Sequence, residues 1–312
     1  MEIIRGIENI NSIDGPTAVT IGVFDGVHIG HQTIIKMAVD FAKMTDGKSI
    51  VITFEPHPLA VVHPESTPPT LTATDLKADY IEKLGPDYML VIPFTFEIAN
   101  MAAEKFVDYV LIEKLHATYV VVGEDFSFGK GRRGNIKFLN DYGGPKGVKI
   151  IAIPHIKKDN IVISSTEVRE RLKRGDIAGV KELTGRYPIS RGKVVHGFGR
   201  GGSSIGIPTA NVEVLYNELL PKAGVYVGHA LLDNERLPCV IDVGISPTFG
   251  DVAKPEIHVH ILSFKRDIYG KRIDVEFIDR LRDEKTFSRI DELKRQIEVD
   301  IQQAKEVLAG KP

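Results

Sequence analysis

Thr20-Ile21-Gly22-Val23-Phe24-Asp25-Gly26-Val27-His28-Ile29-Gly30-His31 joins an apolar run to a helix-like segment through a glycine-rich turn that carries two histidines three residues apart. Glycines at 22, 26 and 30 let the backbone come close to a polyphosphate. A helix starting near Val27 turns its N-terminal N–H groups and the positive end of its dipole toward anionic oxygens. Residues three apart share a helix face, so His28 and His31 point the same way, and each imidazole can donate an N–H to a phosphate oxygen. Upstream, Ala18-Val19-Thr20-Ile21 reads as a strand; downstream, Ile34, Ile35, Met37, Ala38, Phe41 and Ala42 recur at helical spacing. Strand, loop and helix in that order are the setting of a phosphate site on an α/β sheet. Taken alone, the two histidines are also compatible with a solvated pair or with two metal ligands, although no cysteine and no Glu-x-x-His partner stands nearby to complete a metal site.

The flanks set limits on the rest. A chain of 312 residues suits two domains, each large enough for its own core. With 43% hydrophobic and 26% charged residues it has the composition of an ordinary globular protein. The 40 basic and 42 acidic residues leave a net charge of −2, so no global field attracts nucleic acid, and no nucleic-acid partner is expected. The one cysteine, Cys239, excludes an intrachain disulfide and reads as a small core hydrophobe; a reducing cytoplasm fits. Met1-Glu2-Ile3-Ile4-Arg5 lacks a signal pattern, and no apolar run approaches the ~20 residues that cross a bilayer, so no membrane partner is expected either. Oligomeric state is not readable.

Residues 1–185 alternate apolar runs with amphipathic stretches. Ala18–Ile21, Ser49–Thr53, Tyr88–Ile92, Tyr119–Val122 and Val148–Ile153 read as strands, with room between them for crossover helices. The pattern predicts a parallel α/β sheet, Rossmann-like, with ligands beyond the carboxyl ends of its strands. From 186 to 312 the texture changes. Gly192–His196, Gly224–Leu232, Pro238–Val243 and Ile257–Leu262 follow one another with Gly/Pro turns, which predicts an antiparallel β-barrel or sandwich. Leu293, Ile297, Ile301 and Ala304 then form a helical stripe that starts near Ser288. The two domains are expected to be joined tightly near 183–190.

A second cluster closes the first domain. In Ile163-Ser164-Ser165-Thr166-Glu167-Val168-Arg169, Ser164 and Glu167 stand as a capping box, so a helix begins here with Arg169 in its first turns. Such a cap is a common structural feature; three hydroxyls and an arginine at a helix start also make a phosphate clamp. Thr53-Phe54-Glu55-Pro56-His57-Pro58 and Gly123-Glu124-Asp125-Phe126-Ser127-Phe128-Gly129-Lys130 sit at strand ends, where aromatics beside polar groups suit a planar ring, although Phe126 and Phe128 suit a core equally.

The string His-Ile-Gly-His resembles the signature of the nucleotidyl-transferase superfamily. Together with Phe54–Pro58, Gly123–Gly129 and Ser164–Arg169 it resembles prokaryotic FAD synthetase, whose members typically join an FMN adenylyltransferase to a C-terminal riboflavin kinase. Gly206-Ile207-Pro208-Thr209-Ala210-Asn211, Gly224-Val225-Tyr226, Pro247-Thr248-Phe249-Gly250, Asp267-Ile268-Tyr269-Gly270 and Leu281–Phe287 are similar to kinase-module motifs. The resemblance implies transfer of AMP from ATP to FMN. His28, His31 and Arg169 would be catalytic; Gly22, Phe24, Asp25, Gly26, Gly30, Ser164, Ser165 and Thr166 would bind ATP; Phe54, Pro56, Pro58, Asp125, Phe126 and Phe128 would bind flavin. Mg²⁺ would neutralise phosphate charge, with Thr209 and Asn211 as its ligands in the kinase-like module. The kinase pattern also implies a catalytic glutamate at the position of His258, with His260 as the family histidine. Glu256 lies two residues upstream, roughly 6.5 Å along a strand, and cannot simply inherit the role. The resemblance therefore implies an FMN adenylyltransferase with weak or lost riboflavin kinase activity. The fully bifunctional enzyme and a flavin-binding regulator without catalysis are the alternatives.

Overall fold

The computed structural model describes residues 1–10, 13, 15–195, 208–214, 218–246 and 254–310. The chain divides into two compact units, Met1–Pro68 with Thr74–Ser164, and Pro69–Ala73 with Ser165–Pro312.

In the first unit the strands are β1 (Glu2–Arg5), β2 (Thr17–Ile21), β3 (Lys48–Glu55), β4 (Tyr88–Pro93) and β5 (Ala117–Gly123). A short antiparallel pair follows, β6 (Ser127–Phe128) with β7 (Gly134–Asn135), then β8 (Lys149–Ile153) and a second pair, β9 (Lys157–Lys158) with β10 (Ile161–Val162). The main sheet is parallel throughout, in the order β1-β4-β3-β2-β5-β8. Its central strands bury Val19, Ile50, Ile52, Leu90 and Val120, as expected of a parallel sheet covered on both faces. Helix α1 (Ile29–Met44) buries Ile35, Ala38 and Ala42 of the stripe read from the sequence, together with Val39, while Ile34, Met37 and Phe41 are only half-buried. From β2 the chain winds out to β3 and β4, then returns to place β5 on the other side. The switch point thus falls between β2 and β5, where open α/β sheets bind ligands. The five expected strands are present. β1 is additional: only one of its four residues is buried, so it carries no apolar run to betray it.

The second unit opens with helices Ser165–Arg174 and Ile177–Thr184 and then closes a barrel. Its strands are β11 (Ile189–Val195), β12 (Ala210–Val214), β13 (Gly224–Leu232), β14 (Glu235–Ser246), β15 (Lys254–Ile261) and β16 (Arg272–Arg282). They run in the order β11-β12-β15-β14-β13-β16 with antiparallel neighbours. Asp233 and Asn234, both at positive φ, make the two-residue turn between β13 and β14. Tyr226, Cys239, Ile241, Ile257 and Phe277 fill the barrel, and burial pushes the Cys239 thiol pKa far up, which leaves it an inert core residue. The C-terminal helix (Ile290–Gly310) packs Ile301, Ala304, Val307 and Leu308 against Val225, Val227 and Val240. It begins at Ile290 and not at Ser288, whose hydroxyl instead donates to Glu292 at 3.4 Å. His196 and the segments 206–207 and 247–250 singled out above lie outside the described residues.

Candidate functional site

The glycine-rich turn leaves the sheet at the end of β2, where the Gly22 N–H still donates to the Ile52 carbonyl at 3.0 Å. Phe24 (φ 51°), Gly26 (φ 81°) and Val27 (φ 38°) are then all left-handed. That conformation suits glycine, but it costs a side-chain residue roughly 1–3 kcal/mol and is an outlier for a β-branched one. Val27 itself is consequently outside the helix, which starts two residues later than the sequence suggested. It begins at Ile29, with His28 as its N-cap.

His28 Nδ1 accepts the His31 backbone N–H at 3.3 Å. In the neutral imidazole this places the proton on Nε2, the donor a phosphate oxygen would meet. The two histidine rings stack with centroids 3.6 Å apart and planes 20° from parallel, and the buried Phe24 ring meets His31 edge-on at 5.3 Å. A Cβ on Gly30 would stand 3.1 Å from the His28 ring, a tight contact that would press that ring out of its present place. Asp25 is buried within the same turn.

Thr53, the first residue of the strand-end stretch quoted above, and Lys77, not singled out in the sequence, hold this turn from beneath. The Val23 carbonyl accepts hydrogen bonds from Thr53 Oγ1 at 3.0 Å and from Lys77 Nζ at 2.9 Å. Lys77, on helix α3 (Thr74–Glu82), is only 4% exposed (α2 is Pro58–Val62). Burial pulls its pKa below the ordinary lysine value, opposed by the charges of Asp25 and Glu55. The available signal was its place among Leu76, Tyr80 and Ile81, on the apolar side of its helix.

The expected flavin-side residues emerge from the carboxyl ends of the strands flanking β2. Phe54, next to last in β3, meets Phe94 edge-on at 5.5 Å; the Glu55–Pro56 peptide is cis; Pro58 opens α2, with His57 Nδ1 capping Leu59 N–H at 3.1 Å. Beyond β5, Asp125 is exposed, while Phe126 and Phe128 stack at 5.5 Å and are half-buried against the core of the unit. β3, β2 and β5 are adjacent, so these segments flank the turn.

The Ile163 carbonyl lies 3.7 Å from where a Cβ of Gly30 would stand, which brings the start of the hydroxyl cluster to the histidine turn within the first unit. Ser164 ends that unit; Ser165 and Thr166 open the helix Ser165–Arg174 in the second. Arg169 is buried there and donates Nε–H to the Pro69 carbonyl at 2.9 Å, which fixes its guanidinium plane.

In the barrel, β12 sets Asn211 opposite His258 on β15. Asn211 Oδ1 lies 2.6 Å from His258 Nδ1; an amide oxygen can only accept, so Nδ1 carries a proton and donates it. Glu256 Oε2 is 3.5 Å from His258 Nε2. Its side chain thus closes the separation that the strand rise imposes on the backbone, and the carboxylate touches the position at which a glutamate was expected. On the other side of His258, β14 brings Asp242 into register. Burial raises the Asp242 carboxyl pKa; His258 opposes this and Glu284 adds to it. Thr209, Pro208, Phe264 and Tyr269 help line a cavity of about 440 Å³, beside which His260 Nδ1 donates to the Pro208 carbonyl at 2.8 Å.

Residues 10–167 match the FAD synthetase family and residues 184–308 the riboflavin kinase family. The chain is 35% identical over 308 residues to the bifunctional riboflavin kinase/FMN adenylyltransferase of Escherichia coli strain K12, covering 98% of this chain and 97% of the relative. It is 34% identical over 304 residues to the protein of the same description from Buchnera aphidicola subsp. Schizaphis graminum, covering 97% of each. A crystal structure described as a macrolide-efflux protein from Streptococcus pneumoniae superposes with a TM-score of 0.86 at 28% identity, covering 98% of this chain and 99% of that one. Among the described residues, no helix of this chain is long and apolar enough to cross a membrane. With an FMN adenylyltransferase domain in its first half and a riboflavin kinase domain in its second, the chain belongs to the prokaryotic FAD synthetase family.

Proposed function

We propose that the protein makes FAD in the cytoplasm by transferring AMP from ATP to FMN with release of pyrophosphate, and that its riboflavin kinase module works more slowly. The stacked, capped histidine pair carries the first part of this reading. The FMN phosphate is itself the nucleophile, so the site needs alignment and charge stabilisation at the α-phosphorus and no nucleophilic side chain. His28 and His31 donate to the transferring and leaving oxygens; Gly22, Phe24, Asp25, Gly26 and Gly30 shape the turn that receives ATP. Ser164, Ser165, Thr166 and Arg169 act on the β- and γ-phosphates. Phe54, Pro56, Pro58, Asp125, Phe126 and Phe128 form the flavin side. The functional boundary between the modules is placed near residue 185.

In the second module the His258 position carries the reading. A neutral imidazole can take the ribityl hydroxyl proton, but without a carboxylate's charge at that atom. The relatives' bifunctional descriptions, and Glu256 at 3.5 Å from His258, favour retention of some phosphorylation as a second reading. Thr209 and Asn211 offer neutral oxygens two residues apart; Asn211 Oδ1, already an acceptor from His258, has a second lone pair. That set fits a Mg²⁺ whose shell is completed by nucleotide phosphates and water. Bound there, the ion would neutralise phosphate charge. Incubation with ATP and either riboflavin or FMN, supplied separately, tests the reading. FAD from FMN, with little FMN from riboflavin, is expected. Failure to make FAD from FMN and ATP overturns it.

A further inference from the structure

The turn that carries His28 and His31 holds three successive departures into left-handed backbone, at Phe24, Gly26 and Val27, two of them on side-chain residues. Such a path persists only where the surroundings over-determine it. What fixes it is the carbonyl immediately before the first departure. Val23 O is gripped from two elements at once, by Thr53 Oγ1 at the end of β3 and by Lys77 Nζ on α3. A neutral donor would satisfy the carbonyl, yet the sequence spends a lysine that is 4% exposed, with the carboxylates of Asp25 and Glu55 as the opposing charges around it. A buried ammonium is expensive to desolvate, so its presence beneath an anion-binding turn calls for a use that charge supplies. A charged donor makes the stronger hydrogen bond to the carbonyl, and the Asp25 and Glu55 carboxylates favour its charged form against the cost of burial.

We propose that Lys77 is a positioning residue for adenylyl transfer. Its ammonium clamps the Val23 carbonyl, holds the turn in its left-handed path, and so presents the stacked His28–His31 pair to the phosphates in one geometry. Lys77 itself touches no reacting atom. This rests on the reading that the turn serves AMP transfer. A looser clamp disorders the presentation of the histidines more than it weakens ground-state contacts, so the loss falls mainly on kcat.

The test uses the full-length protein. Lys77→Met keeps the length and helix propensity of the side chain and removes the charge. It is expected to lower kcat for FAD formation by about 10²-fold, with KM for ATP and FMN changed by less than about threefold and the thermal transition still cooperative. Lys77→Ala, assayed with and without millimolar ethylammonium, is expected to recover at least tenfold of its lost rate when the amine is added. Thr53→Val, which removes one of the two donors and leaves the cation, is expected to lose about tenfold. Parent-like kcat in Lys77→Met overturns the proposal. So does loss of the folded first unit in that variant, or an Ala variant that the amine does not help, since either makes the lysine a structural residue only. If the unmodified protein makes no FAD, it is the functional reading that fails.

Discussion

The imidazoles of His28 and His31 lie stacked 3.6 Å apart, and the first caps the helix that carries the second by accepting its backbone N–H on Nδ1. One side chain thus does two separable things: Nδ1 secures the helix start and Nε2–H is offered to phosphate.

Asparagine is also a strong N-cap, but it has no donor where His28 Nε2 stands. His28→Asn is expected to keep the parent thermal stability and lose 10²-fold or more in FAD formation, since one donor to a developing phosphate charge is worth ~3–4 kcal/mol. His28→Ala should lose the same activity and in addition about 0.5–2 kcal/mol of stability, because the cap goes too. Steady-state kinetics and denaturant unfolding on both variants check this. An asparagine variant that adenylates FMN at the parent rate would remove His28 from the reaction.

Arg169 donates Nε–H to the Pro69 carbonyl, and its guanidinium is therefore held in one plane. Lysine keeps the charge but neither the second nitrogen nor the plane. Arg169→Lys is expected to lower ATP turnover at saturating FMN by at least tenfold. An unaffected rate together with reduced stability would make the arginine a tie to residues 69–73 and nothing more.

The sequence made the α/β half legible because β-branched runs on buried parallel strands leave little ambiguity, as at Ser49–Thr53. In the barrel β16 is missing from the expected strands although Ile273, Val275 and Phe277 alternate with Asp274 and Glu276 as a half-buried strand does, because those strands are read from continuous apolar runs. The helix start was misplaced by two residues because nothing in Gly26-Val27-His28 announces that Val27 is left-handed. Lys77 was hard to see for a related reason: a lysine among Asp75, Asp79 and Glu82 reads as solvated, although its spacing from Tyr80 and Ile81 puts it on the apolar side of α3, and only the tertiary position of the Val23 carbonyl shows what it meets.

Arg282 and Asp300 form a bidentate pair, Nε to Oδ1 at 2.9 Å and Nη2 to Oδ2 at 2.7 Å, that fastens the C-terminal helix to β16. Asp300 is 2% exposed. Asp300→Ala leaves a guanidinium without its carboxylate and is expected to destabilise the second unit by about 3–5 kcal/mol. Replacing both partners, in Arg282→Met with Asp300→Leu, should recover much of that loss. Denaturant unfolding followed by circular dichroism checks both, and a silent single variant would show the pair to be ornamental.

Asp242 is held with its carboxyl pKa raised, burial being the main cause. The folded state therefore binds a proton more readily than the unfolded chain, and stability falls as pH rises through the window above the unfolded value of about 3.9. The penalty is complete above the folded pKa and absent below the unfolded one. Asp242→Asn is expected to stabilise the second unit at pH 7, with an advantage over the parent that narrows as pH falls toward about 4. A variant less stable than the parent at pH 7 would mean that the carboxylate gains more from His258 and Arg282 than it loses by burial.

The last expectation concerns riboflavin phosphorylation. His258 donates Nδ1–H to Asn211 and turns Nε2 toward the Glu256 carboxylate, so an imidazole stands where a glutamate was expected and the negative charge sits one side chain away. Loss of a positioned general base costs about 10²–10⁴-fold in rate, so FMN formation from riboflavin should be absent or much slower than FAD formation from FMN. His258→Glu restores a carboxylate at that atom and should raise the rate. It also crowds that carboxylate between Glu256 and Asp242, and like charges at such range push a carboxyl pKa up. The gain should therefore be larger in the double variant with Glu256→Gln, and the single variant should reach its maximum at higher pH. Product analysis by separation of riboflavin, FMN and FAD across pH 6 to about 9 distinguishes these cases. FMN production by the unmodified protein at a rate comparable with FAD production would show that His258, with Glu256 behind it, is a competent base, and would establish the module as a full riboflavin kinase.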